Sequence, residues 1–192
     1  MKLWMLIYGS GGKGSELVGI IYAFIYIGAA WRWGDWRSWE KYYPTILFYI
    51  VGDLLYEFLL YDNFPLWKFQ AFGLDQAMEL THTEIIIPIL LVKYPCTILI
   101  FLGNFPYRQT ARKFCYIAFW VGLYTINELI DMQFNALSHH NGWSVLWSIL
   151  FNFVMFSMFA LHHKRPLYAW ASSFVFILFL WNVFDVPSKV FR

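Results

Sequence analysis

The sequence predicts an all-α polytopic transmembrane bundle of six helices. Three observations lead there. Only 14% of the 192 residues are charged, against 60% that are hydrophobic; a water-facing domain usually carries about 25% charged residues. Six apolar segments approach the roughly 20 residues that cross a hydrocarbon core about 30 Å thick. The positive charges between these segments alternate from one connection to the next.

The predicted spans are residues 17–33, 43–61, 84–102, 114–134, 143–161 and 167–186. They read as one transmembrane domain over residues 1–192, with no separate soluble domain. A backbone in lipid must satisfy its polar groups within a helix or a closed barrel. The segments lack the alternating pattern of barrel strands, so helices follow. Five spans is the alternative, if the first is peripheral. Pro44, Pro65, Pro106, Pro166 and Pro187 sit near segment ends, whereas Pro88 and Pro95 fall within the third and should kink it. Aromatic residues make up 23% of the chain, with eleven Trp, thirteen Tyr and twenty Phe. Trp and Tyr favour membrane–water interfaces.

The connections after the first, third and fifth spans carry Arg32, Arg37 and Lys41, then Arg108, Arg112 and Lys113, then Lys164 and Arg165. Those after the second and fourth carry only Lys68. The positive-inside rule assigns the first group to the cytoplasm and both termini to the outside; Lys2, Lys13, Lys189 and Arg192 weaken the terminal assignment. The connection 62–83 contains Phe64, Trp67, Phe69, Phe72, Leu74, Met78 and Leu80 among polar residues. It is expected to be a partly helical amphipathic segment in the outer interface, serving as a connector or as a lid.

Several function classes find little support. A net charge of +2 is too small to argue for nucleic acid. Cys96 and Cys115 are expected as free thiols rather than a disulfide framework. GSGGKGS at residues 9–15 lacks the first glycine and the Ser or Thr that a phosphate-binding loop places after its lysine. The apolar run Met1–Tyr8 is short for a signal peptide.

Three stretches carry a family likeness: KYYPTILFYIVGDLLYEFLLYDNFPLW at 41–67, KYPCTILIFLGNFP at 93–106, and HHNGWSVLWSILFNFVMFSMFALHHKRPLYAW at 139–170. Together they resemble a family of small uncharacterised multipass membrane proteins of Bacillus-type endospore-forming bacteria. The resemblance implies a helical bundle in a bacterial cytoplasmic membrane. It implies no activity and transfers no functional residues.

Ionisable groups inside spans are costly and often mark a pathway or site. Asp53 and Glu57 lie one turn apart in the second span, Lys93 near the middle of the third, and Asn127, Glu128 and Asp131 in the fourth. Glu84, Asn152, Asn182 and Asp185 add to the set. The predicted orientation gathers Asp53, Glu57, Lys93, Glu128 and Asp131 between the midplane and the outer surface. Lys93 is expected to pair with Asp53 or Glu57, and next with Glu128. Two readings follow: an ion-paired network that pins helices together, or a cavity that binds protons or cations.

The histidines invite a metal reading. An outer site from Glu79, His82, His139 and His140 is conceivable, although Glu79-Leu80-Thr81-His82 is the only Glu-x-x-His unit and di-iron bundles need two. His162 and His163 lie about 30 Å away at the other end of a helix and are expected to meet lipid phosphates and cytosol. The expected function is a non-enzymatic membrane sensor or assembly protein, whose partners are the bilayer and a membrane protein or second copy. A small transporter or channel-like protein is the first alternative; an intramembrane metal-dependent enzyme is the second. The sequence specifies no cofactor.

Overall fold

The computed structural model describes residues 13–69, 87 and 89–191. The chain is mostly helical. Among the described residues it forms α1 (Lys13–Trp33), α2 (Trp39–Leu60), α3 (Tyr94–Gly103), α4 (Thr110–Gln133), α5 (Val145–Lys164) and α6 (Pro166–Val183). A 3₁₀ turn, Trp36–Ser38, precedes α2, and another, Ser188–Phe191, follows α6. Three segments, Trp36–Leu60, Val145–Lys164 and Pro166–Val183, are long and apolar enough to cross a membrane; Ile89–Gly103 is a shorter apolar helix.

Proline chemistry shapes several boundaries. Pro166 starts α6, where its missing N–H costs nothing. Helix α2 begins earlier than expected, so Pro44 lies within it. The expected break in the third segment is a π-helical stretch, Ile89–Lys93, leading into α3. Pro95 cannot donate to the carbonyl one turn back, and the wider spacing accommodates the ring.

Helices α4 and α6 end in the same way. Asn135 and Asp185 adopt left-handed φ values of 54° and 48°. Ala136 N–H then donates to the Asp131 carbonyl at 2.7 Å, and Val186 N–H to the Trp181 carbonyl at 3.1 Å. Asn and Asp tolerate this conformation better than most residues. Asp185 is therefore an exposed helix terminator and not a buried charge.

The helix ends collect on two sides of the bundle. On one side, the end of α1 meets the end of α3: Asn104 Nδ2 donates to the carbonyls of Trp33 (2.8 Å) and Ile100 (2.9 Å), and Asp35 N–H donates to the Leu99 carbonyl at 3.3 Å. At the start of α2, Tyr42 hydroxyl donates to Asp35 Oδ2 at 2.9 Å, which holds the Asp35 carboxyl below its ordinary range. Lys164, closing α5, lies 4.0 Å from the Tyr107 ring.

On the other side, strand β1 (Trp67–Phe69) pairs antiparallel with β2 (Leu137–His139), Trp67 opposite His139. The described start of the 62–83 connection is thus turn and strand rather than helix; residues 70–83 lie outside the described set. Tyr56 anchors β1 to α2. Its hydroxyl donates to the Trp67 carbonyl at 2.6 Å and accepts from the N–H groups of Leu66 and Trp67, while the rings of Tyr56 and Trp67 stack 4.0 Å apart. Leu60, Leu66, Trp143, Leu180, Val186 and Val190 form the apolar cluster here. A larger cluster, including Phe101, Phe156 and Phe159, fills the other half.

His162 departs from its expected place among lipid headgroups. It is only 5% exposed, lies 3.0 Å from Thr45 Oγ1 through Nδ1, and stacks on Phe48. Packing of α5 on α2 turns this last-turn residue inward. The two cysteines are free, Cys96 buried and Cys115 exposed. Of the small-residue run at 28–30, Ala30 is fully buried, whereas a Cβ on Gly28 would meet nothing within 4 Å. A Cβ on Gly103 would lie 2.9 Å from Asp35 Cβ and 3.2 Å from its backbone nitrogen. Gly103→Ala is therefore expected to destabilise the fold by about 1–3 kcal/mol. Gly28→Ala should leave thermal unfolding in detergent unchanged or raise it slightly, which provides the control.

Candidate functional site

A cavity of about 310 Å³ runs between α2, the α3 segment, α4, α5 and α6, with β1 and β2 at one end. Its walls are mostly aliphatic and aromatic. Its charged and amide groups include Asp53, Lys93, Asn127, Glu128, Asp131 and Asn152. Four of the five predicted buried charges therefore share one space. The fifth, Glu57, is outside the cavity wall and feels the charges of Asp62 and Lys68.

Helical spacing builds the polar wall. Tyr124, Asn127, Glu128 and Asp131 follow the i, i+3, i+4, i+7 pattern that places residues on one face of α4. Asp131, only 8% exposed, is the best-connected member. Its Oδ1 accepts from Tyr22 hydroxyl at 3.0 Å and its Oδ2 from Asn127 Nδ2 at 3.3 Å. Tyr22 also reaches Asn127 Oδ1 at 3.1 Å. These bonds join α1 to α4.

Lys93 does not sit where the sequence suggested. Among the described residues, the carboxylate contact with a basic side chain at bonding distance is His139–Glu128, not one formed by Lys93. The ammonium lies 5.4 Å from the Tyr124 ring centroid and 5.8 Å from that of Tyr26. Aromatic faces attract cations at such distances. Its charge also acts on Asp131. The reason is positional: the π-helical turn that ends at Lys93 packs against α1, which carries Tyr26.

The other carboxylates have tyrosine or histidine neighbours. Glu128 Oε1 lies 2.8 Å from His139 Nε2. Asp53 lies near enough to Tyr94 for its charge to act on that hydroxyl. Tyr94 stacks on Tyr49 with centroids 3.6 Å apart, and Tyr124 hydroxyl bonds Thr97 Oγ1 at 2.8 Å. Sequence reasoning treated the tyrosines as interfacial and missed these roles. The readable signals were the four-residue step from Tyr49 to Asp53, Tyr94 beside Lys93, and the α4 stripe.

The metal reading gains nothing from this geometry. His139 is engaged with Glu128, and His140 Nε2 lies 2.9 Å from Ser138 Oγ. Glu79 and His82 lie outside the described residues, as does Glu84. Among the described residues, no group of three or more His, Cys, Asp or Glu side chains could hold a metal ion. Asn182 bonds back to the Leu178 carbonyl of its own helix at 2.7 Å, away from the site.

The His139–Glu128 contact joins β2 to α4, and each side chain is 11% exposed. A double-mutant cycle with Glu128→Gln and His139→Ala, followed by thermal unfolding in detergent, should give a coupling of about 1–2 kcal/mol. Additive losses would show that the contact contributes nothing of its own. The sequence matches no protein-family model and no curated protein, and no solved structure matches the chain.

Proposed function

We propose that this chain is a six-span protein of a bacterial cytoplasmic membrane, acting without catalysis as a membrane sensor or assembly partner. The observation that carries the membrane reading is the separation of charge from apolar surface. Arg32, Arg37, Lys41, Arg108, Arg112, Lys113, Lys164 and Arg165 belong to the helix ends on one side of the bundle, and Lys68 to the other. Between them, large side chains from different helices face outward: Phe24, Phe58 (84% exposed), Phe119, Leu146, Leu167 (81% exposed) and Val175. Water would penalise so continuous an apolar belt, whereas lipid suits it. The positive-inside rule then directs the basic side to the cytoplasm and both termini outward.

The hydrogen-bonded polar wall supports the sensor or assembly reading. Asp131 ties α1 to α4, and Glu128 ties α4 to β2, so the polar groups serve helix association. A homo-oligomer or a membrane-protein partner would meet the outer helix faces. Topology is tested with single cysteines in a background where Cys96 and Cys115 are serine. Asn63→Cys should react with a membrane-impermeant maleimide on intact cells, and Arg108→Cys only after permeabilisation. Equal labelling of both from outside would reject the arrangement.

One observation favours a second reading, a proton- or cation-binding site for transport. Asp53, Glu128 and Asp131 line the same cavity as Lys93, which leaves a surplus of carboxylates. In proteoliposomes under an imposed pH gradient, this reading expects proton or cation flux that Asp131→Asn abolishes. Wild-type protein that passes neither rejects it.

A further inference from the structure

The cavity has an opening as well as a polar wall. Gly52 of α2 and Phe174 of α6 line it and are also exposed on the outside of the bundle, with the half-buried Ser173 beside them. A residue that faces both the interior and the surroundings marks a mouth. Gly52 is the fourteenth residue of α2, and Ser173 the eighth of α6, so the mouth lies near the middle of both helices. Helix α6 is held chiefly by α5, which forms the back of the cavity and leaves α2 and α6 as its two lips. In the membrane arrangement proposed above, on which this inference rests, the mouth faces the acyl chains and not either aqueous phase.

The cavity is long and narrow. On α6 its lining runs from Trp170 to Trp181, and on α5 from Ser148 to Phe159. Eleven helical steps on each correspond to about 17 Å. About 310 Å³ spread over that length makes the space narrow. That suits one extended hydrocarbon chain better than a broad ring system. The wall along α5 and α6 is mostly apolar, with Phe151, Val154, Met155, Met158, Phe174 and Ile177 beside the polar Ser148, Asn152 and Ser173. Met side chains adapt to flexible apolar ligands.

The opposite wall supplies the head-group chemistry. Among the described residues that line the cavity, Asp53, Glu128 and Asp131 stand against one ammonium, that of Lys93. The formal balance is −2 with His139 neutral, or −1 with it protonated. A cationic head would restore neutrality, whereas a carboxylate or phosphate head would deepen the imbalance in a low-dielectric site.

We infer that this cavity binds a single-chain amphiphile with an amine head, admitted sideways from the lipid between α2 and α6. The tail lies along α5 and α6 toward Phe48 and Trp170. The head sits against Asp53, Glu128 and Asp131.

Tryptophans 67, 143, 170 and 181 line the cavity and provide the readout. Full-length protein in nanodiscs is titrated with terminally brominated dodecylamine, dodecanol and dodecanoate, whose bromine quenches nearby indoles. The amine should quench saturably, at least tenfold tighter than the alcohol and the carboxylate. Gly52→Phe and Ser173→Phe should each remove the saturable phase with thermal unfolding unchanged, because a Cβ at Gly52 meets nothing within 4 Å. Asp53→Asn should weaken the amine several-fold and leave the alcohol unaffected. Equal affinity for all three probes overturns the head-group assignment. Saturable binding that survives both plugging substitutions overturns the site. Cysteine labelling in intact cells separates the two levels: correct topology without saturable quenching removes only the ligand, and wrong topology removes the membrane reading beneath it.

Discussion

A polar side chain inside an apolar bundle has to find its partner within the protein, and Asp131 is where this requirement organises the most structure. It sits near the end of α4, takes hydrogen bonds from Tyr22 of α1 and Asn127 of its own helix, and feels the charge of Lys93. Four elements are positioned by that arrangement: α1, α4, the π-helical turn and, through Glu128 one turn earlier, β2. An unpartnered carboxylate at 8% exposure would cost several kcal/mol, more than most single apolar contacts contribute. The register of α1 against α4 is thus set by a polar contact, although most of the surface between helices is apolar.

Aromatic stacking carries much of the remaining specificity. Tyr56 lies flat on Trp67, Tyr49 on Tyr94, and Phe48 on His162. Each pair joins two elements at a fixed distance, and several members also hydrogen-bond through their hydroxyls or ring nitrogens. In lipid, where no hydrophobic force drives one helix onto another, such packing and bonding supply the association energy. Rings this large leave space where they meet imperfectly. The cavity between α2 and α6 lies where α5 supports both helices but neither closes over the other.

The candidate site was legible in part. Asp53, Lys93, Glu128 and Asp131 stood out because ionisable residues are rare in apolar segments, and helical spacing placed the last two on one face. Their partners could not be read in the same way. A tyrosine within an apolar helix, such as Tyr22, reads the same whether or not its hydroxyl points inward. Depth alone matches Lys93 to the nearest carboxylates. The actual neighbours, Tyr26 and Tyr124, depend on the rotation of α1 and α4 about their axes. His162 and His163 are adjacent in sequence, yet packing on α2 buries the first against Thr45.

Composition and periodicity by themselves determined the helical class, the approximate helix ends and the clustering of basic residues in alternate connections. Those properties are local: they follow from backbone satisfaction, proline placement and the cost of charge among apolar residues. The pairing of β1 with β2, the burial of His162 and the partners of each carboxylate were decided only by tertiary structure. Each depends on which face of one helix meets another, and side chains distant in the chain settle that by mutual fit. The same holds for the cavity, since an enclosed space exists only once several helices surround it.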